Sequence, residues 1–472
     1  MEKKCDIGLI GLAVMGENLA LNIAGRGYRV AVYNRSTDKV KGLVEGRAKG
    51  FPICGAFSVA ELTGMLARPR KVLLMVKAGE AVDKMIAQLE PHLEPGDILI
   101  DGGNSFYADT RRRYEALQAR GILYLGVGIS GGEEGALTGP SIMPGGDRAA
   151  YDQVAPILTN IAAKVGAESC CGYVGPDGAG HYVKMVHNGI EYGDMQLISE
   201  AYIIMKEVLG LDYDRLQAVF RQWNQGQLES YLIEITADIL GKRDDVTGRP
   251  IVEVILDKAG QKGTGRWVSQ DSLELGVPVP TITEAVFARS MSEYKEERVA
   301  ASGILKGPEA GFRGDREALL AALQDALYAS KICSYAQGFA LLKAASEKYG
   351  WNLQFGEIAM LWRGGCIIRA RFLQSIRDAY SRDPQLANLL IDPFFAAILN
   401  KTQANWRKVV ATCQEIGVPI PAFSASLAYF DSYRRAVLPA NLIQGQRDYF
   451  GAHTYQRTDR PGIFHTEWLA KD

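Results

Sequence analysis

The chain is poor in the residues that build metal and disulfide frameworks. It has five histidines among 472 residues, and none is spaced to pair with another as a metal ligand. The seven cysteines (Cys5, Cys54, Cys170, Cys171, Cys333, Cys366 and Cys413) are scattered, odd in number and lack a C-x-x-C spacing. No metal knuckle is suggested, no bound metal is expected, and a reducing cytoplasm is the expected compartment. Net charge is close to absent, at −1. Nucleic acid and membrane surfaces are therefore not expected partners, and any anion site must be local. No apolar run approaches a bilayer span. The N-terminal MEKKCDIGLIG passes from charge directly into a strand, without a signal-peptide core.

The chain is 47% hydrophobic and 23% charged, and long enough for two or three domains with their own cores. Over residues 1–176, short apolar runs alternate with amphipathic segments. Strands are expected at Ile7–Ile10, Tyr28–Tyr33, Val72–Val76, Ile98–Asp101, Leu123–Gly126 and Ser141–Pro144. That rhythm predicts an α/β domain: a Rossmann-like, doubly wound, mostly parallel sheet. Over 177–437 helical periodicity dominates, giving an all-α domain with one long helix over 181–210. Residues 438–472 are rich in Gly, Arg and aromatics and read as an extended tail, too aromatic for disorder. EVLGLDYDRLQAVFRQWNQG is similar to EKYGWNLQFGEIAMLWRGG about 140 residues later, which suggests an internal repeat in the helical half.

After the first strand, Gly11, Ala13 and Gly16 occupy the three positions of G-x-G-x-x-G, with Leu12, Val14 and Met15 between them. Small residues there let backbone N–H groups approach a pyrophosphate at a helix N-terminus. The second strand ends in VYNRST, where an NAD site usually has an acid. Asn34, Arg35 and Ser36 suit a 2′-phosphate instead, so NADP is expected over NAD. A plain glycine turn and an ordinary surface arginine are the alternative readings. Val76, Lys77 and Ala78 close the next unit, and DGGNSFY places Asn104 at another strand end, where ligands bind in open sheets. GVGISGGEEGA is expected to put Ser130, Gly131 and Gly132 in a loop.

In KMVHNGIEY, residues Lys184, His187, Asn188, Glu191 and Tyr192 fall at i, i+3, i+4, i+7 and i+8 and share one helix face. A polar stripe is usually solvated, but such faces seldom combine His, Asn, Gly and Tyr. At the proposed repeat offset the second copy carries Gln324, Leu327, Tyr328, Lys331 and Ile332, so a repeat would not itself demand the polar set.

GLAVMGENLALN, VYNRST, DGGNS, ISGGEEGA and KMVHNGIEYGDMQ resemble the decarboxylating 6-phosphogluconate dehydrogenases. ILDKAGQKGTGRW fits that family's signature, QRDYFGAHTYQR is similar to its tail motif, and the match runs from residue 5 to the end. Shorter β-hydroxyacid dehydrogenases share the first motifs but lack KGTGRW and the tail. The resemblance implies NADP-dependent, metal-independent oxidation of 6-phosphogluconate to ribulose 5-phosphate and CO2, a step of gluconate utilisation and the pentose phosphate pathway. It implies Lys184 as general base and Glu191 as general acid. Asn104, Ser130, Gly131, Gly132, His187, Asn188 and Tyr192 become substrate contacts, and Lys262, Arg289, Arg447 and His453 surround the substrate phosphate. It further implies a homodimer in which Arg447 and His453 serve the neighbouring subunit. Two other readings are a β-hydroxyacid dehydrogenase for a non-phosphorylated acid, which would not need the four cationic positions, and a catalytically silent binding protein, which would not need Lys184 and Glu191.

Overall fold

The computed structural model describes residues 3–308 and 311–469. These form two compact units, residues 1–426 and 427–472. The first begins with a seven-stranded sheet of β1 (Ile7–Ile10), β2 (Val30–Tyr33), β3 (Ile53–Ala56), β4 (Lys71–Leu74), β5 (Ile98–Asp101), β6 (Leu123–Ser130) and β7 (Ser141–Gly146). The spatial order is β3-β2-β1-β4-β5-β6-β7. All pairs are parallel except β6 with β7, which run antiparallel from Leu125 opposite Gly146 to Ser130 opposite Ser141. Alternation within β1 sends Ile7 and Leu9 into the core on one face and Ile10 into the core on the other, as a sheet covered by helices on both sides requires. The order reverses between β1 and β4, which opens a crevice at the carboxyl ends of the strands.

Strand β3 was not expected from the sequence. Its ICGA core is four residues long and contains a glycine, so it carries little periodic signal. Strand β6 runs four residues past the expected Gly126, and Ser130 ends a strand rather than sitting in a loop. Glycines inside β6 hid this extension from propensity. The tail unit contains a helix, Ala440–Gly451, that its composition did not reveal. It is organised around buried Asp448, which accepts hydrogen bonds from Thr454 N, His465 Nδ1, Thr466 N and Trp468 Nε1 at 2.9–3.1 Å. Burial opposes ionisation of Asp448, but these donors outweigh it and hold the carboxyl at about 2.

The helix Ala179–Ile203 continues as a π-helical turn, Ile204–Val208, and packs against the helix Arg316–Tyr349. Lys331 and Asp194 form a fully buried ion pair between the two long helices. Each segment of the suggested repeat follows one of these helices and is itself helical, at Tyr213–Trp223 and Phe355–Leu361.

Ala179–Ile203 also lies directly on β6 and β7, through glycines. A Cβ added at Gly180 would sit 2.1 Å from Gly126 O and 2.6 Å from Gly145 N. One added at Gly128 would sit 2.4 Å from the Cβ of Lys184. Neither backbone can give way without displacing helix from sheet. Gly180→Ala should therefore lose at least the roughly 1–3 kcal/mol typical of overpacking. Gly42→Ala is the control, since an added Cβ there meets nothing within 4 Å, and it should gain about 0.5–1 kcal/mol as a helix-interior substitution. Urea unfolding of both variants checks this, and equal stabilities would refute the close-contact account.

Candidate active site

At the β1 turn, Gly11 adopts φ +103, and a Cβ on it would meet Met75 O at 2.5 Å. Only glycine fits that conformation so close to the neighbouring chain. A Cβ on Gly16 would lie 1.9 Å from Gly11 O, so Gly16 permits the tight turn into the helix Val14–Gly25. Leu12 points into the sheet core and Met15 packs against that core, while Val14 is exposed at the helix start. The Leu12 amide donates to Asn34 Oδ1 at 3.0 Å. Asn34 thus braces the glycine turn from the end of β2.

A cavity of about 480 Å³ follows, lined by Gly11, Ala13, Asn34, Arg35, Ser36, Val76 and Lys77 among others. Lys39 and Lys84 also line it. Neither is marked in the sequence, because each lies within an ordinary amphipathic helix pattern. Ala78 continues the same loop, half-buried. The cavity therefore joins a glycine turn able to admit phosphate oxygens to the cations Arg35 and Lys39, a donor set that fits a dinucleotide bearing a 2′-phosphate.

The loop after β5 is held from beneath. Buried Asp101 accepts from Gly103 N at 3.1 Å, Ser105 Oγ at 2.6 Å and Tyr124 OH at 3.1 Å. Asn104, between them, is left exposed.

Across from this loop the helix Ala179–Ile203 carries the polar face predicted from KMVHNGIEY. Its residues are not solvated: Lys184, His187, Asn188 and Tyr192 are all buried, and Glu191 is about a fifth exposed. Lys184 Nζ lies 3.4 Å from His187 Nδ1, and Asn188 Oδ1 lies 3.1 Å from the same nitrogen. Glu191 Oε2 is 3.8 Å from it, and Ser130 Oγ is 3.5 Å from His187 Nε2. Nδ1 can donate to Asn188 or accept from Lys184, but not both at once, so the imidazole tautomer decides which neighbour it holds.

Gly131 follows Ser130 at φ +134, and its α-carbon faces Gly365 O so closely that a Cβ would sit 2.6 Å from it. Gly132 then opens the short helix Gly132–Thr138. The segment that crowds Gly131 also brings Trp362 edge-on to His187, with centroids 5.6 Å apart, and places the buried Cys366 thiol near Lys184. Its sequence, WRGGC, carries no periodic or motif signal of a site.

Arg289, on the helix Pro280–Glu293, stacks its guanidinium 3.5 Å over the Tyr192 ring and donates to Gly260 O at 3.3 Å. That bond brings the loop carrying exposed Lys262 close to Arg289. A Cβ on Gly265 would meet the Tyr192 ring at 2.5 Å, so KGTGR packs on the same tyrosine. Arg447 and His453 belong to the tail unit and are exposed there, with Arg447 donating to Gln444 Oε1 at 3.0 Å.

Burial pushes the Lys184 ammonium down from its ordinary value, against the pull of Glu191 and Cys366. It pushes the Glu191 carboxyl up, against Lys184 and Arg289. Burial, and then nearby Lys184, hold His187 well below the usual imidazole range. One dehydrated face thus moves a cationic acid and a carboxylic acid toward each other in pKa. No group of three or more His, Cys, Asp or Glu able to hold a metal occurs among the described residues.

The sign of the lysine shift has a consequence for stability. Below its depressed folded pKa, Lys184 carries a charge that the fold disfavours, and the penalty is fully present. It fades as pH rises through that value toward 10.5, the value of an unperturbed lysine. Lys184→Met should therefore stabilise the protein at neutral pH by about 1–3 kcal/mol, with the gain vanishing above pH 10.5. Denaturant melts at the two pH values test this, and a less stable Met variant at pH 7 would contradict it.

Known proteins resemble this chain over nearly its whole length. Residues 6–175 match the NAD binding domain of 6-phosphogluconate dehydrogenase, and residues 180–468 match the 6-phosphogluconate dehydrogenase C-terminal domain. The NADP(+)-dependent, decarboxylating 6-phosphogluconate dehydrogenase of Bacillus subtilis (strain 168) is 62% identical over 467 residues, covering 99% of each chain. A decarboxylating 6-phosphogluconate dehydrogenase of Synechococcus elongatus is 58% identical, covering 98% of this chain and 99% of its own. The Plasmodium falciparum 6-phosphogluconate dehydrogenase, solved as apo form and with its cofactor NADP+ and its substrate 6-phosphogluconate, superposes with a TM-score of 0.94. It is 50% identical, with 98% of this chain and 100% of that one covered. With both domains matched and the relatives aligned from end to end, this chain belongs to the decarboxylating 6-phosphogluconate dehydrogenase family.

Proposed function

We propose that this chain oxidises 6-phosphogluconate with NADP and releases CO2, yielding ribulose 5-phosphate. The observation that carries the reading is the pair on one helix face, buried Lys184 and mostly covered Glu191, pushed by dehydration toward neutral lysine and protonated carboxyl. These are the states a general base and a general acid need at the start of their steps. Gly11, Ala13, Arg35, Ser36 and Lys39 would hold NADP, which when bound supplies the hydride acceptor.

Neutral Lys184 takes the proton of the C3 hydroxyl as that carbon is oxidised. The resulting ammonium polarises the new carbonyl, so the β-keto acid can lose CO2 without a metal ion. Lys184 gives its proton to the carbonyl oxygen as CO2 leaves. Glu191, two turns along the helix, then protonates the enediol at the carbon that carried the carboxylate, C1 of the product, and the enediol O–H proton returns to Lys184. Asn104, Ser130, Gly131, Gly132, His187, Asn188 and Tyr192 orient the sugar chain. A phosphate dianion calls for several cations; Lys262 and Arg289 are supplied from this chain, and Arg447 and His453 are assigned to a second subunit. Exposed apolar side chains support association: Leu273 at 83%, Ile304 at 75% and Leu305 at 73% in the first unit, Ile463 at 74% and Phe450 at 72% in the tail.

Absorbance at 340 nm with 6-phosphogluconate, NADP or NAD, and a chelator present tests the reaction. NADPH formation is expected despite the chelator. Lys184→Ala should lower kcat by about 10²–10⁴, and Glu191→Gln should in addition suppress solvent deuterium incorporation at C1. Near-normal turnover in Lys184→Ala would defeat the base assignment. For the shared site, Lys184→Ala and Arg447→Ala subunits should each be inactive alone but regain activity when co-expressed, because hybrid dimers rebuild one intact site. Failure of that complementation would sink the subunit exchange.

A further inference from the structure

Asp271 lies on the helix Thr264–Glu274 that follows the Lys262 loop, and it is buried. Both of its carboxylate oxygens are occupied. Tyr107 OH donates to Oδ1 at 2.6 Å, and Tyr182 OH donates to Oδ2 at 2.5 Å. Tyr107 OH is also 2.9 Å from Tyr349 OH. The two phenols come from different parts of the site. Tyr107 opens the helix directly after the Asn104 loop, and Tyr182 stands two residues before Lys184.

A buried carboxylate is costly unless its lone pairs are matched. An apolar residue would fill the space at lower cost, so what the acid adds is direction. Hydrogen bonds of this length tolerate far less sliding than apolar contact. A second tie runs parallel to the first: Phe106 and Trp267 rings meet with centroids 5.1 Å apart.

We propose that Asp271 is a positioning residue for the phosphate end of the substrate. By holding Tyr107 and Tyr182 together it fixes the Lys262 loop in register with Asn104 and Lys184. The inference rests on the assignment of Lys262 to the substrate phosphate, and the experiment separates the two.

Steady-state kinetics on the full-length enzyme would compare Asp271→Asn, Tyr107→Phe, Tyr182→Phe and Lys262→Ala. The two Phe variants each delete one hydroxyl and keep the fold testable if Asp271→Asn does not fold. Tyr182→Phe and Asp271→Asn should raise KM for 6-phosphogluconate about fivefold or more while KM for NADP stays within about twofold. Lys262→Ala should raise the same KM, and Tyr182→Phe should add nothing further in the Lys262→Ala background, since it acts through that lysine. If the Phe and Asn variants lose only thermal stability while Lys262→Ala raises KM, the positioning role is overturned and the phosphate assignment stands. If Lys262→Ala leaves KM unchanged, the phosphate assignment fails and the positioning role fails with it.

Discussion

The contact on which the site depends is the glycine-mediated approach of the helix Ala179–Ile203 to strands β6 and β7. Gly126, Gly128, Gly145 and Gly180 remove the side chains that would otherwise hold helix and sheet apart. Backbone then meets backbone, and buried Lys184 is pressed against Gly128. The same contact brings Ser130, the last residue of β6, to His187. Lysine, imidazole and hydroxyl are thus brought together by one backbone contact built from small residues.

That packing also sets the electrostatics. Removing water from a lysine and a glutamic acid on one helix face shifts each toward its neutral form, and their mutual attraction only partly opposes this. A surface version of the same stripe would leave both charged. The fold bears the desolvation cost at Lys184 because its cores on both sheet faces, and the helix packing around Arg316–Tyr349, are large enough to offset it. Arg289, stacked on Tyr192 and tied to Gly260, extends the same rigid surface toward the Lys262 loop.

Much of this was legible in the residues. The alternation of short apolar runs with amphipathic segments pointed to the doubly wound sheet, because the periods of 2 and 3.6 are imposed by backbone geometry and survive in any sequence. The turn at Gly11–Gly16 and the stripe from Lys184 to Tyr192 were visible for the same reason. Strand β3 was not, because ICGA is short and contains a glycine. The extension of β6 to Ser130 was hidden by the very glycines that the helix contact requires. The WRGGC segment, the lysines Lys39 and Lys84, and the role of Asp271 had no local signature, since each gains its meaning from a partner distant in sequence.

The sequence by itself determined which elements form, which helix face is polar, and which strand ends carry groups suited to a phosphorylated ligand. These are local properties, set by side-chain spacing and backbone freedom. Only the tertiary structure decided that the polar face is largely buried, that Lys184 and Glu191 are shifted in opposite senses, and that Asp101 and Asp271 are buried with hydrogen-bond donors gathered around them. Burial depends on what packs across from a residue, and no local pattern states that. The same five side chains on an exposed helix would have the same spacing and none of these shifts.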